Sequence, residues 1–146
     1  MKVSDFISPE EEKEVVEAIK QAELNTSGEI RVHIEHTCEG DRFNHALEVF
    51  EQLEMHKTKL SNGVLIYVSI DDHQLVIIGD KGINDVVLKG FWESTKDKII
   101  NQFKKENYKQ GLIDGILEAG NQLKTHFPYQ SDDIDELDNE ISKGKS

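Results

Sequence analysis

One cysteine, two prolines and one tryptophan are all this chain carries of the residue types that most often pin a small fold. Cys38 has no second cysteine to pair with, so no intramolecular disulfide can form, and a lone thiol fits a reducing interior. No stretch approaches the roughly 20 apolar residues of a membrane span. The opening Met1-Lys2-Val3-Ser4-Asp5-Phe6 has no apolar core of signal-peptide length, so the expected location is the cytosol. Positive charge is also scarce. With 17 basic against 29 acidic residues the net charge is −12, and such a surface repels nucleic-acid phosphates. Cations, or a basic protein partner, are the partners the charge favours.

What is present is enough for one domain. A chain of 146 residues can bury roughly two thirds of its unfolded surface, so its core needs no covalent staple. Part of the 32% charged content is concentrated after residue 128, where six acids of 132–140 face only Lys143 and Lys145. Ile134, Leu137 and Ile141 are too few to offset the entropy of ordering that stretch, so residues 129–146 are expected to be a disordered acidic tail behind a domain of residues 1–128.

Within the domain, Ser8, Pro9 and Glu11 form a helix start with a capping box, followed by Val15, Val16, Ile19 and Ala22 at helical spacing. Residues 29–35 alternate apolar Ile30, Val32 and Ile34 with Glu29, Arg31, His33 and Glu35, which reads as a half-exposed strand near a sheet edge. A helix over about 41–55, capped by Asp41, would bury Phe43, Ala46, Leu47, Phe50 and Leu53. Residues 64–70 and 75–78 are apolar at nearly every position, as in strands covered on both faces, and the short Asp71-Asp72-His73 link makes them an antiparallel hairpin. After Gly79-Asp80-Lys81-Gly82 the remainder is helical. A short helix capped by Asn84 or Asp85 carries Val86, Val87 and Leu88, a second carries Trp92, Ile99, Ile100 and Phe103, and a third runs from Tyr108 toward Pro128.

The order α-β-α-β-β-α-α-α contains one βαβ unit, so the first two strands should be parallel with a right-handed crossover and the third antiparallel to the second. Buried strands need cover on both sides. The predicted fold is therefore α/β, a three-layer helix–sheet–helix sandwich around a small mixed sheet.

Thr26-Ser27-Gly28-Glu29-Ile30-Arg31-Val32, Asn62-Gly63-Val64-Leu65-Ile66, Ile78-Gly79-Asp80-Lys81-Gly82-Ile83, Phe91-Trp92, and Tyr108 with Gly111 follow one another in an order that resembles the TPM domain family, named for thylakoid lumen, photosystem II and nematode membrane proteins. The resemblance runs from about residue 8 to residue 128. It implies a small mixed sheet between helices, divalent-cation binding, acid phosphatase activity in the plant branch, and accessory roles beside membrane complexes. The family commonly has an Asp before the Asn-Gly of the second strand. Here Ser61 stands there, so one potential ligand oxygen carries no charge.

This topology gathers the family-like segments at one end of the sheet, where the first two strands begin and the third leaves. Glu29, Asp80 and Asp85, helped by Asn62 or Asn84, are the candidate ligands for a divalent cation, calcium or magnesium rather than zinc, because hard cations prefer carboxylate and carbonyl oxygens. The plainer alternative is that Asp80 and Asp85 cap a turn and the next helix while Glu29 pairs with Lys81. The opposite end collects Glu35, His36, Glu39, Asp41, Asp71, Asp72 and His73. His36 and His73 could take zinc, but their spacing matches no zinc pattern, and a solvated acidic turn is the simpler account. His33 reads as an exposed histidine, with a general base as the alternative, and Phe91 and Trp92 read as core rather than a ligand-stacking pair. No phosphate loop, nucleophile elbow or Cys/His pair is present. Three functions stay open: a divalent-cation-binding accessory or interaction module, a metal-assisted acid phosphatase with Asp80 and Glu29 in its site, and a purely structural partner-binding domain.

Overall fold

The computed structural model describes residues 2–38, 40–129 and 139–144. After a single turn, α1 (Val3–Phe6), the chain forms α2 (Pro9–Glu23), β1 (Glu29–Glu35), α3 (Arg42–Gln52), β2 (Gly63–Ser69), β3 (Gln74–Gly79), α4 (Lys81–Asn84), α5 (Glu93–Phe103), α6 (Tyr108–Leu123) and β4 (Ser142–Lys143). The described strands make one sheet in the order β3-β2-β1-β4. β1 and β2 are parallel with Glu29 opposite Gly63, and β2 and β3 are antiparallel with Val64 opposite Gly79. This is the α/β sandwich with a mixed sheet that the sequence predicts.

Local chemistry sets the element starts. Ser8 Oγ accepts the Glu11 amide while the Glu11 carboxylate accepts the Ser8 amide, closing the capping box of α2. Asp41 accepts the Asn44 amide and starts α3. One face of the sheet packs against α2, α5 and α6, burying Ile30, Val32, Ile34, Val64, Ile66 and Ile77 against Ile19, Ile99, Leu112 and Ile116. The other face packs against α3, where Leu65, Tyr67, Val76 and Ile78 meet Ala46, Val49, Phe50 and Met55. Helices on the first face approach closely. A Cβ on Gly120 of α6 would lie 2.9 Å from the Ala22 methyl of α2, a position only glycine fills without displacement.

Four expectations are corrected. β1 lies near the sheet edge as expected, beside the two-residue β4, but it is not half-exposed. Glu29 and His33 on its polar face are buried, and β4 pairs with its outer side at His33 and Ile34. The buried stripe of α3 is Ala46, Val49 and Phe50, which face Leu65, Tyr67, Val76 and Ile78, while Phe43 and Leu47 are exposed, so the helix is rotated from the expected facing. The helix after β3 starts at Lys81, not at Asn84 or Asp85, because the Asp80 carboxylate accepts the Lys81 amide and opens α4 there. Val86 and Leu88 are left exposed. Finally, within the expected disordered tail, residues 139–144 return to the sheet. Ser142 and Lys143 pair in parallel with His33 and Ile34, and the Gly144 amide donates to the Ile34 carbonyl at 2.9 Å. The free edge of β1 supplies backbone groups that composition does not reveal. Residues 130–138, 145 and 146 lie outside the described residues.

Candidate functional site

The three family-like segments do converge. At the amino ends of β1 and β2 the Glu29 amide donates to the Asn62 carbonyl at 3.3 Å, the Asp80 amide to the Gly63 carbonyl at 2.9 Å, and the Gly82 amide to the Ser61 carbonyl at 2.8 Å. A Cβ on Gly82 would sit 2.3 Å from the Leu60 carbonyl oxygen, so the absence of a side chain lets α4 press against the 60–62 loop. Ser61 adopts φ 50°, a left-handed conformation that few non-glycine residues take. Asn62 is buried, with its amide nitrogen 3.4 Å from Ser27 Oγ and its backbone N–H donating to Thr58 Oγ1.

Of the five candidate ligands, Glu29, Asn62 and Asp80 stand at this junction. Strand alternation puts Glu29 on the α3 side of the sheet. Asp80 is still extended, with φ −67° and ψ 172°, which carries the alternation of β3 one residue further and puts Asp80 on that side too. Its Oδ1 accepts the Lys81 amide at 2.8 Å, and its Oδ2 is buried with no hydrogen-bond donor among the described residues. Asn84 bonds back to the exit of β3, and Asp85 points to solvent. The Asn84 amide donates to the Gly79 carbonyl at 2.9 Å, and the exposed Asp85 carboxylate pairs with Lys81 Nζ at 2.7 Å. Lys81 therefore pairs with Asp85, not Glu29. Among the described residues no three His, Cys, Asp or Glu side chains are gathered to hold a metal, so a cation here would rest on the Asp80 and Glu29 carboxylates with amide or carbonyl oxygens completing its shell.

The opposite end is built differently. Glu35, at the end of β1, lies at the centre of a polar cluster beneath α3. Tyr67 Oη donates to its Oε2 at 2.6 Å, His45 Nε2 lies 2.8 Å from the same oxygen, and His33 Nε2 lies 3.0 Å from Oε1. His33 Nδ1 is 2.9 Å from Ser142 Oγ in β4. Burial would raise the Glu35 pKa, but the bonds from Tyr67 and His33 outweigh it and hold the carboxyl below its ordinary range. Burial lowers His33 against the raising effect of Glu35, so the ring is neutral at pH 7. Nε2–H then faces the carboxylate while Nδ1 accepts from Ser142. Tyr67 is pushed far up, first by burial and then by the bond to Glu35. His33 is thus buried, correcting the expectation of an exposed histidine.

The spacing of these residues in the sequence does not mark the cluster as a unit. Tyr67 inside an otherwise apolar strand is the signal that could have exposed it, since a buried phenol needs a partner for its hydroxyl. The neighbouring turn behaves as the solvated alternative implies. His36 pairs with Asp71 at 2.7 Å, and the Asp72 carboxylate accepts the Cys38 amide and, at 2.7 Å, the Ser69 hydroxyl. Phe91 and Trp92 meet edge to face with centroids 4.7 Å apart and pack on the larger core.

A small mixed sheet between helices, with glycine-rich turns joining the starts of β1 and β2 to the exit of β3, defines a class of domain. The TPM domain model matches residues 2–122, and the chain belongs to that family. It is similar over nearly its whole length to the BA42 protein of the psychrophilic bacterium Bizionia argentinensis, solved by NMR, with 58% identity, 98% of this chain and 99% of that one covered, and a TM-score of 0.92. The N-terminal domain of a P. gingivalis protein, also an NMR structure, shares the fold at 19% identity with a TM-score of 0.69, over 84% of this chain and 79% of that one. No protein of curated function matches.

Proposed function

We propose that this TPM domain is a binding module that takes a divalent cation, calcium or magnesium, at the amino end of the sheet and serves an accessory role rather than a catalytic one. The observation that carries this reading is Asp80 Oδ2. A carboxylate oxygen that is buried beside a strand end and meets no donor among the described residues has lost water without gaining a bond, which is costly unless a cation compensates it. Glu29, buried on the same side of the sheet, supplies the second charge, and Asn62 the neutral oxygens. The alternative, a metal-assisted phosphatase, needs a cation to receive the phosphoryl oxygens. Lys81 is the nearest in sequence, and its ammonium is already held by Asp85. The −12 charge of the chain also opposes phosphate approach.

Calcium titration followed by backbone NMR tests the reading. Saturable shifts centred on Asn62 and on residues 79–85, lost in Asp80→Asn, are expected. Flat spectra at millimolar calcium and magnesium would remove the cation from the account. Turnover of p-nitrophenyl phosphate with added metal, abolished by the same substitution, would instead favour the enzyme.

A further inference from the structure

A separate cavity of about 600 Å³ opens where β2 ends and β3 begins, at the opposite end of the sheet from Asp80. Its volume lies within the range of small-molecule sites. The walls come from three places: Val68 and Leu75 of the sheet, Phe6 of α1, and Phe103 and Tyr108 on either side of the α5–α6 turn. The three rings form one aromatic block. Phe6 stacks on Tyr108 at 4.4 Å and meets Phe103 edge to face at 5.5 Å, and Phe103 meets Tyr108 at 5.6 Å. Such a block is fixed before any ligand arrives, so little ordering entropy opposes binding.

The rim carries the opposite chemistry. Arg42 from the start of α3 and Lys104 from the end of α5 both line the cavity, and among the described residues neither is in an ion pair. Arg42 donates to the side-chain oxygen of Gln74, which leaves its charge uncompensated. The rim acid is Asp71, whose carboxylate is 2.7 Å from His36. His73 is the remaining titratable group on the rim. In a chain of net charge −12, two uncompensated cations beside an apolar wall are a local reversal of the field.

We propose that this cavity binds a small anionic amphiphile, a monocarboxylate with an extended apolar body. The apolar part would lie against the Phe6–Phe103–Tyr108 block, and the head between Arg42 and Lys104. A planar carboxylate suits the guanidinium fork of Arg42. A single negative charge suits it better than a phosphate dianion, because the rest of the surface repels every added charge.

The full chain titrated with sodium decanoate, 1-decanol and sodium acetate tests the assignment, with backbone and aromatic NMR shifts as the readout. Decanoate should shift Phe6, Leu75, Phe103 and Tyr108 saturably. Acetate, lacking the apolar body, should not. Decanol, lacking the charge, should bind roughly tenfold more weakly or worse, as loss of a charge-assisted contact predicts. The exposed double substitution Arg42→Gln with Lys104→Gln should weaken decanoate by a similar factor and leave decanol unchanged. Asp80→Asn should change neither. Equal binding of decanol and decanoate, an indifferent double variant, or shifts spread over the whole surface would each overturn the proposal.

Discussion

The two ends of the sheet handle buried charge in opposite ways. At the carboxyl end Glu35 is surrounded by side chains, with Tyr67, His45 and His33 divided between its two oxygens. At the amino end the chain is drawn together by backbone bonds between turns, and Asp80 keeps one buried oxygen that no donor among the described residues reaches. The first arrangement gives both carboxylate oxygens side-chain neighbours within the fold. The second leaves a carboxylate in a position where binding, not folding, would satisfy it. A cluster rich in charged contacts is therefore the weaker candidate for function here, and the sparser one the stronger.

The largest expected effect breaks the amino end. Gly82→Ala drives a methyl to 2.3 Å from the Leu60 carbonyl and 2.6 Å from that of Ser61, and backbone cannot swing aside as a side-chain tip can. Overpacking of this kind costs about 3 kcal/mol, read as a lowered urea midpoint. An unchanged midpoint would mean the 60–62 loop is looser than its hydrogen bonds imply.

Tyr67→Phe comes next and breaks the carboxyl end. It removes the shortest bond to Glu35 and keeps the ring, so about 1–2 kcal/mol should be lost. The Glu35 carboxyl should also titrate at higher pH, since the Tyr67 bond is the main influence holding it down against burial. Stability lost with no change in Glu35 titration would show that packing, not charge, is what the hydroxyl provides.

These two ends were unequally legible. Glu29 to Glu35 was delimited as a strand from alternation alone, and its bounds match β1. The convergence of residues 29, 62 and 80 followed from parallel and antiparallel strand order. His33, Glu35, His45 and Tyr67 come from β1, α3 and β2, and nothing in their spacing announces a contact. Only the rotation of α3, which the sequence pattern missed by reading Phe43 and Leu47 as buried, brings His45 to Glu35. The return of residues 139–144 was hidden for a different reason. An edge strand needs only backbone groups and a neighbour, and composition reports neither.

Ser142→Ala sharpens the comparison more gently. It removes the acceptor contact at His33 Nδ1, and a neutral side-chain bond contributes about 1 kcal/mol or less. The pH dependence carries more information. His33 titrates below its ordinary 6.5 in the fold, so the unfolded chain takes up the proton first and stability falls as pH drops below about 6.5. Glu35 acts lower down. Its contribution is full above about 4.5 and drains as pH falls toward its own depressed value. The wild-type urea midpoint should therefore decline in two stages on acidification. A midpoint flat between pH 7 and 5 would contradict the burial of His33.

The smallest effect separates the two chemistries open to the amino end. Lys81 and Asp85 form an i,i+4 pair on the exposed side of a one-turn helix, 81% and 57% exposed, and such pairs rarely contribute to stability. Lys81→Ala should leave the urea midpoint unmoved. Its influence on ligands should not be neutral, because removing a positive charge beside Asp80 and freeing the Asp85 carboxylate both make the site more negative. Calcium affinity should then rise a few-fold at low ionic strength and the gain should fade as salt is added, since the charges are exposed and screened over about 10 Å at 0.1 M. A phosphate-binding site would respond with the opposite sign, losing affinity with the same substitution. The direction of that one change discriminates between a cation module and a phosphatase even where the free-energy difference is too small to register in folding.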